Sequence, residues 1–459
     1  MLKTKGLPTR NTCLFLVFAW VFFSLPWATF ARDYKKETEF FHRVSPGESL
    51  FKIAHLYLPL TEAYTVRDLI RRIRARNGLR GTLIRPNQYL VIPVVRSAPV
   101  VSKTIPKAKD FEARGIYLNR YSMACRKMPR LIKELTPLGG NTVVLDAKDM
   151  SGMLSYPSEV ALAREIGASR SPCVDDLSKL FHFLHKRGLH VCVRIVLFCD
   201  PLLASRRPSL AIRSASTGEV WMEKGRFAWV DPFYPEVRRY NLDIAKELAA
   251  LGADEIQFDY IRYPTMGNTR DYVFGFDPGK TTKHATITAF LAQAKEELAP
   301  YGVLLSIDVF GVMGWRRAED IQMTGQNIED LARYCDVISP MIYPSHFYGS
   351  FQGIADPGDK PFLLVSETCK RFSTLLRGTG VTIRPWIQAF PFGTRVFGRD
   401  YVLEELRALR RSRVRGWLLW SAANAYSTAW KALAEWNRSA PGREPPKARL
   451  SRLDGPHEE

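Results

Sequence analysis

Between residues 113 and 437, short apolar runs alternate with stretches of helical period. The runs that read as strands are Gly115–Leu118, Thr142–Asp146, His190–Leu197, Glu255–Asp259, Leu304–Val309, Val337–Ile342, Arg384–Ala389 and Gly416–Trp420. Helical patterns between them include Met128–Thr136, Val174–Arg187, Pro235–Leu251, Lys283–Leu298, Ile328–Tyr334 and Tyr401–Arg413. Strands alternating with helices imply parallel pairing. Eight such units predict a (β/α)8 barrel of the TIM type with long βα loops. A doubly wound open sheet is the alternative, but no Gly-rich phosphate loop follows the first strand.

The pattern before residue 113 differs. Lys3, Lys5 and Arg10 precede an apolar run from Cys13 to Leu25; Pro26 breaks it, and Ala28 to Ala31 offers small residues. Residues 1–31 therefore read as a secretory signal, with an uncleaved membrane anchor as the rival. The signal predicts export, to a periplasmic, envelope-associated or extracellular location. Membrane contact is expected only through this segment, if it is uncleaved. Residues 42–94 read as strand, two helices, strand. His42 to Val44 opens it, Pro46-Gly47 turns, Ser49 starts a helical pattern at Leu50, Ile53 and Ala54, and Tyr89 to Ile92 closes it. Residues 95–112, with Pro99, Pro106 and three lysines, read as a linker. Residues 438–459, rich in Pro, Arg and Glu, read as a disordered tail.

Composition adds three points. Of the 459 residues 46% are hydrophobic and 24% charged, which predicts globular domains with real cores. The net charge of +20 favours anionic partners. Much of the excess is local: Arg67, Arg71, Arg72, Arg74, Arg76, Arg80 and Arg85 face Asp68 alone. No nucleic-acid motif accompanies them, so envelope polyanions or plain solubility are expected instead. The cysteines show no zinc spacing, and buried free thiols are expected.

In a (β/α)8 barrel the chemistry lies where strands end. Asp259 closes the fourth strand and is followed at once by Tyr260, Arg262 and Tyr263; Asp308 lies at the end of the fifth. Neighbouring strands are about 4.8 Å apart. Two terminal carboxylates on them can thus flank one bond at the roughly 5–5.5 Å of a retaining glycosidase. Asp259 is assigned as nucleophile, kept ionised by Arg262, and Asp308 as general acid/base. Candidate sugar contacts at the other strand ends are Asp146, Lys148, Asp149, Trp229, Arg262, Tyr263, Tyr343, His346, Trp386, Gln388 and Trp420. Glu367 is a reserve acid. His182 and His185, one helical turn apart, are too few for a metal site. No metal or cofactor is demanded.

Two family resemblances follow. "RVSPGESLFKIA" and "LIRPNQYLVIP" resemble the two ends of a LysM domain, while the stretch between them is more basic and longer. The resemblance implies binding of peptidoglycan or another N-acetylglucosamine glycan. The segments "VVLDAKDMSG", "ADEIQFDYIRYP", "LSIDVFG", "DVISPMIYPSHF", "IRPWIQAF" and "GWLLWSA" resemble the glycoside hydrolase family built on the domain DUF4015, related to the alpha-amylase-type barrels. This resemblance implies a TIM-type barrel and a hydrolase of polysaccharides. Alpha-amylase-type barrels carry glutamate where this chain has Asp308. A secreted glycoside hydrolase acting on an envelope or extracellular polysaccharide is the first functional reading. A non-catalytic glycan-binding scaffold is the second.

Overall fold

The computed structural model describes residues 39–439, apart from 94, 276, 278 and 413. The expected signal and nearly all of the expected tail lie outside the described residues.

The N-terminal module runs β1 (Phe40–Arg43), α1 (Leu50–Tyr57), α2 (Val66–Arg76), β2 (Tyr89–Ile92). Both helices begin on a capping hydroxyl. Ser49 Oγ accepts from the Lys52 amide and Thr65 Oγ1 from the Asp68 amide, each satisfying a donor that the helix start leaves free. The antiparallel β1–β2 pair sets His42 opposite Leu90. Leu50, Ile53, Leu69, Ile73, Leu90 and Ile92 fill the core, so the arginines of α2 are left on its outer face.

The barrel strands are β3 (Arg114–Leu118), β4 (Thr142–Lys148), β5 (His190–Val196), β6 (Glu255–Asp259), β7 (Leu304–Phe310), β8 (Val337–Ile342), β9 (Trp386–Gln388) and β10 (Trp417–Trp420). Each pairs in parallel with the next, and β10 returns to β3, which closes the barrel. The helices following them are α3 (Lys127–Leu135), α4 (Leu177–His185), α5 (Pro235–Ala250), α6 (Lys283–Leu298), α7 (Ile328–Leu331), α8 (Pro361–Leu375), α9 (Arg399–Ser412) and α10 (Ser427–Arg438). The expected barrel is therefore present. Pro385 interrupts the seventh strand, which is preceded by a separate pairing at Thr382–Ile383, because proline cannot donate to the ladder.

The barrel floor is ionic. Arg384 Nη1 donates to both oxygens of Glu255 at 2.8 Å, and His190 Nε2 lies 2.8 Å from Glu255 Oε2; all three side chains are buried. Burial would raise the Glu255 pKa, but Arg384 and His190 outweigh it and hold the carboxyl well below the usual carboxylate range. Above this floor the interior packs Tyr117, Val144, Cys192, Tyr343, Trp386 and Leu418. Cys192, Cys199, Cys335 and Cys369 are buried free thiols, whereas Cys125 is exposed.

The connecting segment 95–112 is fastened to the barrel. The Ser102 amide donates to Ser178 Oγ at 2.8 Å, and the Ile105 amide to Asp254 Oδ1 at 2.6 Å. His185 bridges Ser102 Oγ and Asp254 Oδ2, each at 2.9 Å, so this histidine clamps the segment in place. The module itself packs on α4. Lys179 Nζ donates to the Leu58 and Ala63 carbonyls, Asp175 Oδ2 accepts from the Val66 amide at 2.9 Å, and Tyr64 joins the barrel core.

Candidate active site

The C-terminal ends of β4, β5, β6 and β7 bring three carboxylates and one guanidinium together. Phe258 pairs with Ile307, which sets Asp259 and Asp308 side by side on adjacent strands. Asp146 pairs across from Arg194, and Arg194 from Gln257, so Arg194 lies between the two acidic strands. Arg194 Nε and Nη2 both donate to Asp259 Oδ2, at 2.9 and 2.7 Å. Its Nη1 donates to Asp146 Oδ1 at 2.5 Å. Tyr117 Oη donates to Asp146 Oδ2 at 2.8 Å and its ring stacks on Trp420, with centroids 4.1 Å apart. All of these side chains except Trp420 are buried, and Trp420 is partly exposed.

Asp308 has no such cation. Its Oδ1 accepts from Trp386 Nε1 at 2.7 Å, and it forms no ion pair among the described residues. Burial and then the neighbouring charge of Asp259 push its pKa well above the usual carboxylate range, with Arg194 and the Trp386 contact opposing in part. Burial likewise raises the Tyr343 pKa, reinforced by the fields of Asp308 and Asp259, so its hydroxyl stays protonated beside both acids. Two adjacent carboxylates therefore have opposite environments: one held by an arginine, the other buried with its pKa raised. That division is what acid–base work at a single bond requires. The turn after Asp259 is strained. Tyr260 has φ +53°, a left-handed conformation rare for an aromatic residue, and its amide donates to Asp259 Oδ1 at 2.6 Å.

Residues 115–426, more than half of the chain, match the family described as "Putative glycosyl hydrolase domain", DUF4015. The chain belongs to this glycosyl hydrolase family. Residues 42–93 match the LysM domain. A comparison with curated proteins finds no match. Among solved structures, a hypothetical protein from Ruminiclostridium thermocellum is 35% identical, with 42% of this chain and 97% of that one covered and a TM-score of 0.39. The spore cortex-lytic enzyme SleL of Bacillus megaterium is 10% identical over 86% of each chain, TM-score 0.42. The glycoside hydrolase domain of PelA from Pseudomonas aeruginosa is 14% identical over 68% of this chain and 96% of its own, TM-score 0.39.

Within this glycosyl hydrolase domain the structure sorts the expected site residues. Asp146, Asp259, Asp308, Tyr343, Trp386 and Trp420 meet at the barrel mouth. His346 stands on the rim, edge-on to Tyr343 at 5.3 Å. Several others have their polar atoms engaged within the protein. Lys148 is fully buried, with Nζ 2.6 Å from Asp200 Oδ2 and donating to Asn241 Oδ1 at 2.9 Å. A register shift between Asp146 and Lys148 breaks the alternation and sets Lys148 opposite Ile195, outside the barrel. Asp149 braces its own loop through Ser151 and Arg120. Trp229 donates to Glu223, Tyr263 to Asp231, and Gln388 ties the loops after β8 and β9 by accepting from the Ser345 amide and donating to the Phe390 and Phe392 carbonyls.

Arg262 does not hold Asp259. It is stacked among Trp229, Tyr260 and Phe310 at 4.6–4.9 Å. Glu367 sits on the outer helix α8 and pairs with Arg371, one turn on. The cation that serves Asp259 is Arg194, absent from the expected list. Its signal was present in the sequence: a lone guanidinium inside a strand too apolar to tolerate one without carboxylate partners.

Proposed function

We propose that the protein is an exported glycoside hydrolase that cuts a cell-envelope or extracellular polysaccharide by a retaining, paired-carboxylate mechanism. The observation that carries this reading is the contrast between neighbours: Asp259 is paired with Arg194, whereas Asp308 is buried beside it with no ion pair among the described residues and its pKa is pushed well above the usual carboxylate range. Adjacent parallel strands about 4.8 Å apart suit the roughly 5–5.5 Å separation of retaining enzymes.

In the first step Asp308 gives its proton to the glycosidic oxygen as the bond to the anomeric carbon breaks, and Asp259 forms an ester to that carbon. Esterification removes the negative charge of Asp259, which after burial is the largest cause of the high Asp308 pKa. Asp308, now deprotonated, becomes the base that takes a proton from water. Water attacks the anomeric carbon, the ester breaks, and Asp259 recovers its charge and its pairing with Arg194. Trp420, backed by the stacked ring of Tyr117, offers a partly exposed aromatic surface to a sugar ring at the mouth. The basic and apolar N-terminus supports export, and the LysM domain raises the local concentration of a glycan by tethering.

The test is release of reducing sugar from peptidoglycan, chitin oligomers and α-glucans by wild type, Asp259→Asn and Asp308→Asn. Release by wild type alone supports the reading. Glycan binding with equally little release from all three makes the barrel a binding scaffold.

A further inference from the structure

A cleft of about 300 Å³ lies between the LysM domain and the barrel, and its walls carry four arginines: Arg67, Arg71, Arg72 and Arg126. One acid lines it, Asp68, which is already engaged by both Arg71 and Arg72. Asp175, nearby, is engaged by the Val66 amide. Arg67 and Arg126 are exposed and have no carboxylate partner among the described residues. The two walls are fixed relative to each other by Lys179, which crosses the interface to the Leu58 and Ala63 carbonyls, and by Tyr64, which packs on Phe183 at 5.7 Å.

The position of the cleft bears on its use. Arg126 immediately precedes α3, the helix that follows β3. A helix that follows a barrel strand starts at the strand's C-terminal end, so Arg126 lies on the face where Asp259 and Asp308 sit. One wall of the cleft, formed by Cys125 and Arg126, therefore lies toward the catalytic face of the barrel, outside its ring of helices.

We propose that this cleft is an accessory subsite for a carboxylate-bearing segment of the polymer that the barrel cuts. Arginine forks match carboxylates and phosphates alike. The choice between them rests on the hydrolase reading above: a polymer joined by glycosidic bonds carries its charge on pendant groups, and a pendant carboxylate leaves the sugar backbone free to run on into the barrel. The subsite adds a fixed, charge-selective contact to the LysM tether, and it selects acidic over neutral glycans.

The test uses the full chain and fluorescence anisotropy with labelled oligogalacturonate, a neutral chito-oligosaccharide of equal length, and inorganic polyphosphate, at low and at physiological salt. Arg67→Glu/Arg126→Glu is expected to weaken oligogalacturonate binding about tenfold, through two lost exposed pairs and new repulsion, and to leave chito-oligosaccharide binding unchanged. Arg67→Gln/Arg126→Gln should lie between, with an unchanged melting temperature. The charge reversal should weaken oligogalacturonate binding by the same factor in wild-type and in Asp308→Asn backgrounds, so loss of the hydrolase reading is distinguishable from loss of the subsite. Wild-type affinity for oligogalacturonate in the charge-reversed protein, or tighter binding of polyphosphate than of oligogalacturonate by wild type, overturns the proposal.

Discussion

Arg194→Met removes the guanidinium at the centre of the site while keeping an apolar stem of similar length. Arg194 is buried and makes three hydrogen bonds to two buried carboxylates, Asp146 and Asp259. Removing one member of a buried ion cluster strands the others, at a cost of about 3–5 kcal/mol. That is a large part of the roughly 5–15 kcal/mol that holds a domain folded. With a urea slope of about 3 kcal/mol per molar, the unfolding midpoint falls by about 1–1.7 M. The loss depends on pH in a determined sense. Burial already raises the Asp146 pKa above its unfolded value, with Arg194 and Tyr117 opposing, and without Arg194 it rises further. The deficit is therefore smallest at acid pH, where that carboxyl can be protonated, and grows as pH rises. Adding Asp146→Asn and Asp259→Asn removes the stranded charges, so the triple variant should recover most of the stability and lose the pH dependence. Tryptophan fluorescence during urea unfolding at about pH 4.5 and pH 8 measures all three proteins. A deficit below about 1 kcal/mol at pH 8, or one equal at both pH values, contradicts the role given to Arg194.

Three further outcomes are expected. Asp308→Asn should lower kcat/KM by about 10²–10⁴, as loss of a general acid does. It should also make the protein more stable than wild type at alkaline pH: the raised folded-state pKa of Asp308 means wild type loses stability as pH climbs above the unfolded value, and the amide has no charge to bury. Urea midpoints across pH check this. The wild-type pH–rate profile should keep its basic limb above the usual carboxylate range, because activity persists until Asp308 loses its proton; Asp308→Glu should retain a basic limb and Asp308→Asn should not. Lys148→Met should cost about 3–5 kcal/mol, leaving Asp200 unpaired, yet keep the activity of the molecules that remain folded. A lost kcat at full stability would instead make Lys148 a substrate contact.

The barrel was legible because its strands, buried on both faces, stand out as apolar runs between helical patterns. Glu255–Asp259, Val337–Ile342 and Lys283–Leu298 lie where the pattern placed them. The helix Pro361–Leu375 was not, since its apolar residues mix with Glu367, Lys370 and Arg371 and it opens on a proline without a side-chain cap. Asp259 and Asp308 were legible as carboxylates that end apolar strands. Which way a neighbouring side chain faces was not. One register shift turns Lys148 out of the barrel while Asp146, two residues earlier, points in. Trp229, Tyr263 and Gln388 stand close to strand ends in sequence, but their polar atoms are taken by Glu223, Asp231 and the β8–β9 loops. Arg262, three residues past a visible strand end, looked like the partner of Asp259. The true partner, Arg194, comes from the adjacent strand: a lone guanidinium in an apolar run marks it in the sequence, but strand pairing is needed to show which carboxylates it meets.

The central claim is that Asp308 is protonated and Asp259 ionised in the resting site. Isotope-edited infrared difference spectra with carboxyl-labelled aspartate, wild type minus Asp308→Asn and wild type minus Asp259→Asn at pH 7, test it without any substrate. The account predicts the carbonyl band of a protonated acid in the first difference and the paired bands of a carboxylate in the second. Carboxylate bands in the first difference, or a protonated-acid band in the second, would contradict it.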